Sequence, residues 1–240
     1  MKVFIWFLFF LPIVYAAENY DHFENYDYFQ LVQYWPPTFC GGTAQLECAP
    51  EGTLPHPLMN FTIDGFWPSD STTPEPPRNC SGPPFNEYKI EPLKDDLKTY
   101  WSNLTQVWNC SWNIHGKCSA DRFTEFGYFS LALELKKHID IHRILSDGHI
   151  NPSPTALYRS SNISDLIKNK TGRIPRLWCK DDEHPSPLLE ISICYDLALA
   201  YMDCPQPLLD NPRNGCDEIV PYPKYPCKIP DNGTDKKDEL

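Results

Sequence analysis

Ten cysteines in a chain of 240 residues constrain the fold more than any other feature, because both ends of the sequence direct it to an oxidising lumen. Lys2 is followed by an apolar run over 3–14 and by the small residues Ala16 and Ala17, the pattern of a secretory signal peptide over 1–16. The run is too short to cross a bilayer, so the mature chain is expected to start at Ala17 or Glu18. The last four residues, Lys237-Asp238-Glu239-Leu240, form the address read by the KDEL retrieval receptor. That receptor is the expected partner, and the lumen of the endoplasmic reticulum, or a body derived from it, the expected location. Ten cysteines there read as a disulfide framework. Their spacing alone leaves the connectivity open.

The mature length suits one domain with a sizeable core, and neither a linker nor an internal repeat divides it. A domain over 26–223 and a tail over 224–240 are expected. No later stretch approaches the length of a membrane span. The net charge is −11, and an acidic chain does not draw in a polyanion by its overall field. RNA is therefore expected to bind weakly if at all. Seven N-x-S/T sequons occur, at Asn60, Asn79, Asn103, Asn109, Asn162, Asn169 and Asn232. Asn162, Asn169 and Asn232 lie in polar stretches and are the expected glycan carriers. Asn60 leads into a buried strand, and Asn109 lies in an aromatic core motif.

Local patterning predicts a mixture of strands and helices. Residues 26–34 roughly alternate apolar and polar side chains, as a half-buried strand does. A second strand covers 61–66, and a Pro/Ser/Thr-rich loop 68–84. A helix is expected over 93–104. The main packed helix is expected over 128–145, where strong helix formers and apolar residues recur at helical spacing. Another helix falls within 155–168, and strands over 188–195 and 218–222. Without Gly-rich phosphate loops, this interleaving points to an α+β fold with a mostly antiparallel sheet packed by helices. No cofactor is implied.

Two segments carry a more specific signal. Residues 61–68 read F-T-I-D-G-F-W-P and residues 108–118 read W-N-C-S-W-N-I-H-G-K-C. They resemble the two active-site segments of the ribonuclease T2 family, which usually read F-T-I-H-G-L-W-P and W-x-H-E-W-x-K-H-G-T-C. The frame is kept at Trp67, Pro68, Trp108, Trp112, Gly116 and Cys118. The resemblance extends to Gln33-Tyr34-Trp35-Pro36, to 148–152 and to 191–196. It implies the family's α+β fold and the pairs Cys40–Cys48, Cys80–Cys118, Cys179–Cys216 and Cys194–Cys204. Cys110 and Cys227 are left over. They either join each other, tying the tail across the old active site, or Cys110 stays a buried thiol.

The resemblance implies RNA cleavage by attack of the ribose 2′-hydroxyl on the neighbouring phosphate, one His taking a proton and another donating one, with cationic and hydrogen-bonding groups stabilising phosphoryl charge. Here Asp64 stands where the first His belongs. Cys110, Ser111 and Ile114 stand in place of His, Glu and Lys, and only His115 is retained. The expectation is a ribonuclease-like protein without ribonuclease chemistry, with a storage role. Two alternatives stay open: an active endoribonuclease in which Asp64 and His115 form a substitute pair, and a non-cleaving RNA- or protein-binding module. Trp67, Trp108 and Trp112 either stack a base or fill the core. His138 and His142, spaced i and i+4 with Glu134 a turn earlier, read as a solvated helix face rather than a metal site.

Overall fold

The computed structural model describes residues 26–39, 60–73, 75–102, 104–180, 184–205 and 215–224. The signal peptide, Cys40, Cys48, Cys227, Asn103, Asn232 and the retrieval signal lie outside the described residues. In chain order the elements are β1 (Tyr28–Tyr34), a short helix α1 (Pro36–Phe39), β2 (Thr62–Ser69), a 3-10 segment (Glu87–Leu93) running into α2 (Lys94–Tyr100), α3 (Thr105–Ile114), a 3-10 turn (Gly116–Ser119), α4 (Glu125–His138) and α5 (Ile141–Asp147). β3 (Leu157–Arg159), α6 (Ser160–Thr171), β4 (Arg176–Cys179), β5 (Leu188–Asp196), β6 (Tyr201–Met202) and β7 (Ile219–Pro221) follow.

The main sheet has the order β2-β1-β5-β4, with β6 added to β5, and every pairing is antiparallel. β3 and β7 form a separate antiparallel pair. β1 is central and buried along its whole length, where its alternation predicts a half-buried strand. The polar positions do not face water; they find partners inside. Gln30 donates to Ser69 Oγ at 2.9 Å and to the Tyr28 hydroxyl at 3.1 Å, and Gln33 accepts from Lys136 at 2.7 Å. Buried polar groups paired in this way look the same in a sequence as exposed ones. β2 runs three residues past Phe66 and includes Pro68, which an edge strand tolerates.

The helix expected over 128–145 is two helices. Thr124 caps α4 by accepting the Gly127 N–H at 3.1 Å, so the helix starts earlier. It ends in Lys136, Lys137 and His138, cations suited to a helix C-terminus. Ile139 then turns to an extended conformation and buries its side chain, and Asp140 caps α5 through the Arg143 N–H at 3.0 Å. The helix expected over 93–104 is helical over α2 only. The chain breaks at the buried Trp101 before α3 begins.

The core lies between the helices and one face of the sheet. Phe29 stacks on Phe66 at 4.9 Å, and Trp101 and Tyr128 pack against Phe129 at 5.1 Å each. Disulfides Cys80–Cys118, Cys179–Cys216 and Cys194–Cys204 staple loops to this frame. Among the described residues no helix is long and apolar enough to cross a membrane.

Candidate active site

β2 brings the first segment to the site through an irregularity in its pairing. Gln33 faces Ile63 and Val32 faces Gly65, so Asp64 is an extra residue in a β-bulge. Its carbonyl accepts the Trp101 indole N–H at 3.1 Å. Gly65 has no side chain for a spatial reason: a Cβ there would lie 2.0 Å from Nε1 of Trp67, whose ring folds back over it. Trp67 in turn leans on the His115 ring at 4.9 Å, which joins the two segments.

α3 carries the second segment and ends at His115, whose N–H reaches Ser111 O at 3.1 Å. Trp108 and Trp112 are 1% and 0% exposed, and their indole N–H groups donate to Ser102 O and Pro83 O at 3.1 and 2.9 Å. They are core aromatics and offer no face to a base. Trp67 is half-buried against His115. Gly116 allows the turn after His115 to press against Trp112; a Cβ there would meet the indole at 2.5 Å.

The substituted positions differ in what surrounds them. Ser111 is buried, and its hydroxyl has no partner among the described residues. Ile114 is half-buried, and its carbonyl accepts the Asn79 N–H at 2.7 Å. Cys110 is disulfide-bonded. His115 itself is 2% exposed. The loop before Cys80 covers it: Pro77 O lies 3.2 Å from its Nδ1, and the Cys80–Cys118 disulfide fixes the loop to the turn that follows. Burial lowers the imidazole pKa to about 4; the Pro77 carbonyl opposes this, and the positive charge of Arg78 adds to it. Arg78 and Pro77 sit in a loop whose composition announces nothing but a loop, so sequence reasoning missed both.

Asp64 belongs to a different neighbourhood. The register sets Tyr34 between Thr62 on β2 and Glu190 on β5. The charge of Asp64 reaches both Tyr34 and Glu190. Burial holds both carboxyls well above the ordinary range; Asp64 raises Glu190 further, while Arg176 opposes. Arg176 is itself stacked on Trp178 at 4.3 Å. Glu190 was also missed, since in an alternating strand it reads as a solvent-facing residue. The charge of Asp64 acts on Tyr34, Tyr128 and Glu190, whereas the charge acting on His115 is that of Arg78.

These states run against the substitute pair. A carboxylate base must be ionised while an imidazole acid is protonated. Asp64 ionises only above the usual carboxylate range, and His115 is charged only near pH 4 and below. Ile114 brings no charge where the family lysine belongs, and the cation acting on His115 is Arg78.

His138 and His142 do not share a helix face, because the break at Ile139 separates them. His138 is exposed, and His142 stacks on Trp35 at 5.7 Å with its Nδ1 3.1 Å from the Tyr222 hydroxyl. Among the described residues no group of three or more metal-ligating side chains occurs.

The model of the Ribonuclease T2 family matches residues 26–204. This chain belongs to the ribonuclease T2 family. It is 32% identical to Ribonuclease MC of Momordica charantia over 77% of this chain and 94% of that protein. The solved ribonuclease MC1 from bitter gourd seeds superposes with a TM-score of 0.69 at 29% identity, covering 82% of this chain and all of that one. The RNase-related protein from Calystegia sepium superposes at 0.68 with 27% identity, over 83% of this chain and 98% of that one.

Proposed function

We propose that this chain is a ribonuclease T2-family protein that has lost RNA cleavage and serves a non-catalytic, storage role in the lumen of the endoplasmic reticulum or bodies derived from it. The observation that carries the reading is His115. The one imidazole at a family catalytic position is buried, capped by Pro77 and held neutral at physiological pH. Asp64, Cys110, Ser111 and Ile114 remove the remaining acid–base and charge-stabilising groups; losing one such group costs about 2.7–4 kcal/mol of barrier, and groups that act as a unit do not add. The signal peptide and the terminal Lys237–Leu240 support the location. In this reading Cys110 pairs with Cys227 and ties the tail over the former cleft, a bond that non-reducing peptide mapping would detect.

Incubation of the purified mature protein with single-stranded RNA from pH 4 to 8 tests the loss. The expected result is no cleavage beyond that of a His115→Ala variant. Gain of cleavage on combining Asp64→His, Cys110→His, Ser111→Glu and Ile114→Lys would show that the frame still accepts the chemistry. Cleavage by the native chain that disappears in His115→Ala would overturn the proposal and make Asp64 and His115 a working pair.

A further inference from the structure

The two sequons on α6 combine an exposed asparagine in regular helical backbone with a side-chain amide that makes no hydrogen bond among the described residues. We infer that α6 carries two N-linked glycans, at Asn162 and Asn169. The helix packs inward through Ile163 and Ile167, which are fully buried, while Asn162 and Asn169 are exposed. Seven residues is close to two helical turns, so the two side chains leave the helix within about 20° of each other and about 10 Å apart along its axis. Neither amide makes a hydrogen bond among the described residues. A sugar on either one therefore displaces no contact of the folded protein.

The other described sequons differ in kind. Asn60 is half-buried, and its side-chain oxygen is sealed from solvent. Asn79 is exposed, but its backbone is held in the left-handed region at φ 55° between the Ile114 contact and the Cys80–Cys118 bond. Asn109 is exposed, contrary to its sequence reading as a core position. Its side-chain oxygen accepts from Asn113 at 2.5 Å, its sequon serine is Ser111, which is buried, and Cys110 between them is disulfide-bonded. α6 packs on α5, β3 and β4, whereas the candidate site is built from β2 and α3. The paired glycans stand away from the site and cover the outer face of a helix that is otherwise studded with Lys168, Lys170 and Asp165.

The donor is a lipid-linked oligosaccharide in the lumen. The asparagine amide nitrogen attacks the anomeric carbon of its first sugar. The N–C bond forms as the sugar–oxygen bond to the lipid diphosphate breaks, the diphosphate leaves with the electron pair, and the displaced amide proton passes to a base of the transferring enzyme. The inference rests on the lumenal part of the proposed function, and its test separates the two.

The full chain is expressed in a eukaryotic secretory host, its N-terminus is determined, and peptides deglycosylated by an N-glycan amidase in heavy-oxygen water are mapped. The expected result is a mature start at Ala17 or Glu18, with conversion of Asn162 and Asn169 to labelled aspartate. Asn162→Gln and Asn169→Gln should each remove one glycan step on a gel, without changing the unfolding midpoint of the deglycosylated protein. A cleaved signal with unlabelled Asn162 and Asn169 would overturn the glycan sites and leave the lumenal reading standing. An uncleaved, unglycosylated chain would overturn both.

Discussion

Replacing Asp64 with asparagine should stabilise the protein at neutral pH and leave its stability in acid almost unchanged. Burial raises the Asp64 and Glu190 carboxyls, and each opposes ionisation of the other. In the unfolded chain they ionise near pH 4. The folded state therefore keeps a proton that the unfolded state has released. Stability from this source is complete below about pH 4 and is lost as pH rises through the raised folded range. One retained proton corresponds to about 1.4 kcal/mol per pH unit. Both side chains keep partial contact with solvent, and screening reduces this to roughly 0.5–1 kcal/mol per unit. Between pH 5 and 7 the native protein should thus lose about 1–2 kcal/mol through the pair. In Asp64→Asn the loss should shrink to the part that burial alone imposes on Glu190, because the repulsion from Asp64 is gone while Arg176 stays in place. Urea unfolding with intact disulfides, followed by tryptophan fluorescence at pH 5 and pH 7.5, measures the difference. The slope due to His115 is present in both proteins and cancels. Parallel pH profiles, or a variant less stable than the native chain at pH 7.5, would refute the reasoning.

His115→Gln should act in the opposite direction. An imidazole held down to about 4 costs stability as pH falls through its unfolded value of about 6.5, so the variant should flatten the decline below pH 6.5 in the same urea assay. Gly116→Ala should cost about 1–3 kcal/mol, because its Cβ would press into Trp112; an unchanged thermal midpoint would contradict the contact. Asp140→Ala should cost about 1 kcal/mol by removing the cap of α5, and faster hydrogen exchange at Arg143 would locate the effect. Without the cap the break at Ile139 should survive, since Ile139 is anchored in the core.

The fold class was legible in the residues because interleaved strand and helix patterns, and the aromatic frame that marks the family, carry it. The elements that escaped did so for physical reasons. β4, only four residues long, has no periodicity to read. The break between α4 and α5 hides in a helical pattern because Asp140, an ordinary polar residue in sequence, satisfies a backbone N–H instead. The site was less legible than the fold. Asp64 and His115 occupy different neighbourhoods, and what each meets depends on loops and strands distant in sequence: Glu190 for the first, Pro77 and Arg78 for the second. A motif records which residues are present; burial and partners come from the whole chain.

The bulge at Asp64 has an evolutionary consequence. A residue paired in the ladder and packed in the core is constrained twice over, and changing it endangers the scaffold. Position 64 lies outside the register, and its backbone tie is the carbonyl that accepts the indole N–H of Trp101. The side chain at this position can therefore be exchanged while strand order, aromatic packing and disulfides stay as they are. Side-chain chemistry and architecture are separable at this point of the chain, so a lineage can vary the first and go on inheriting the second.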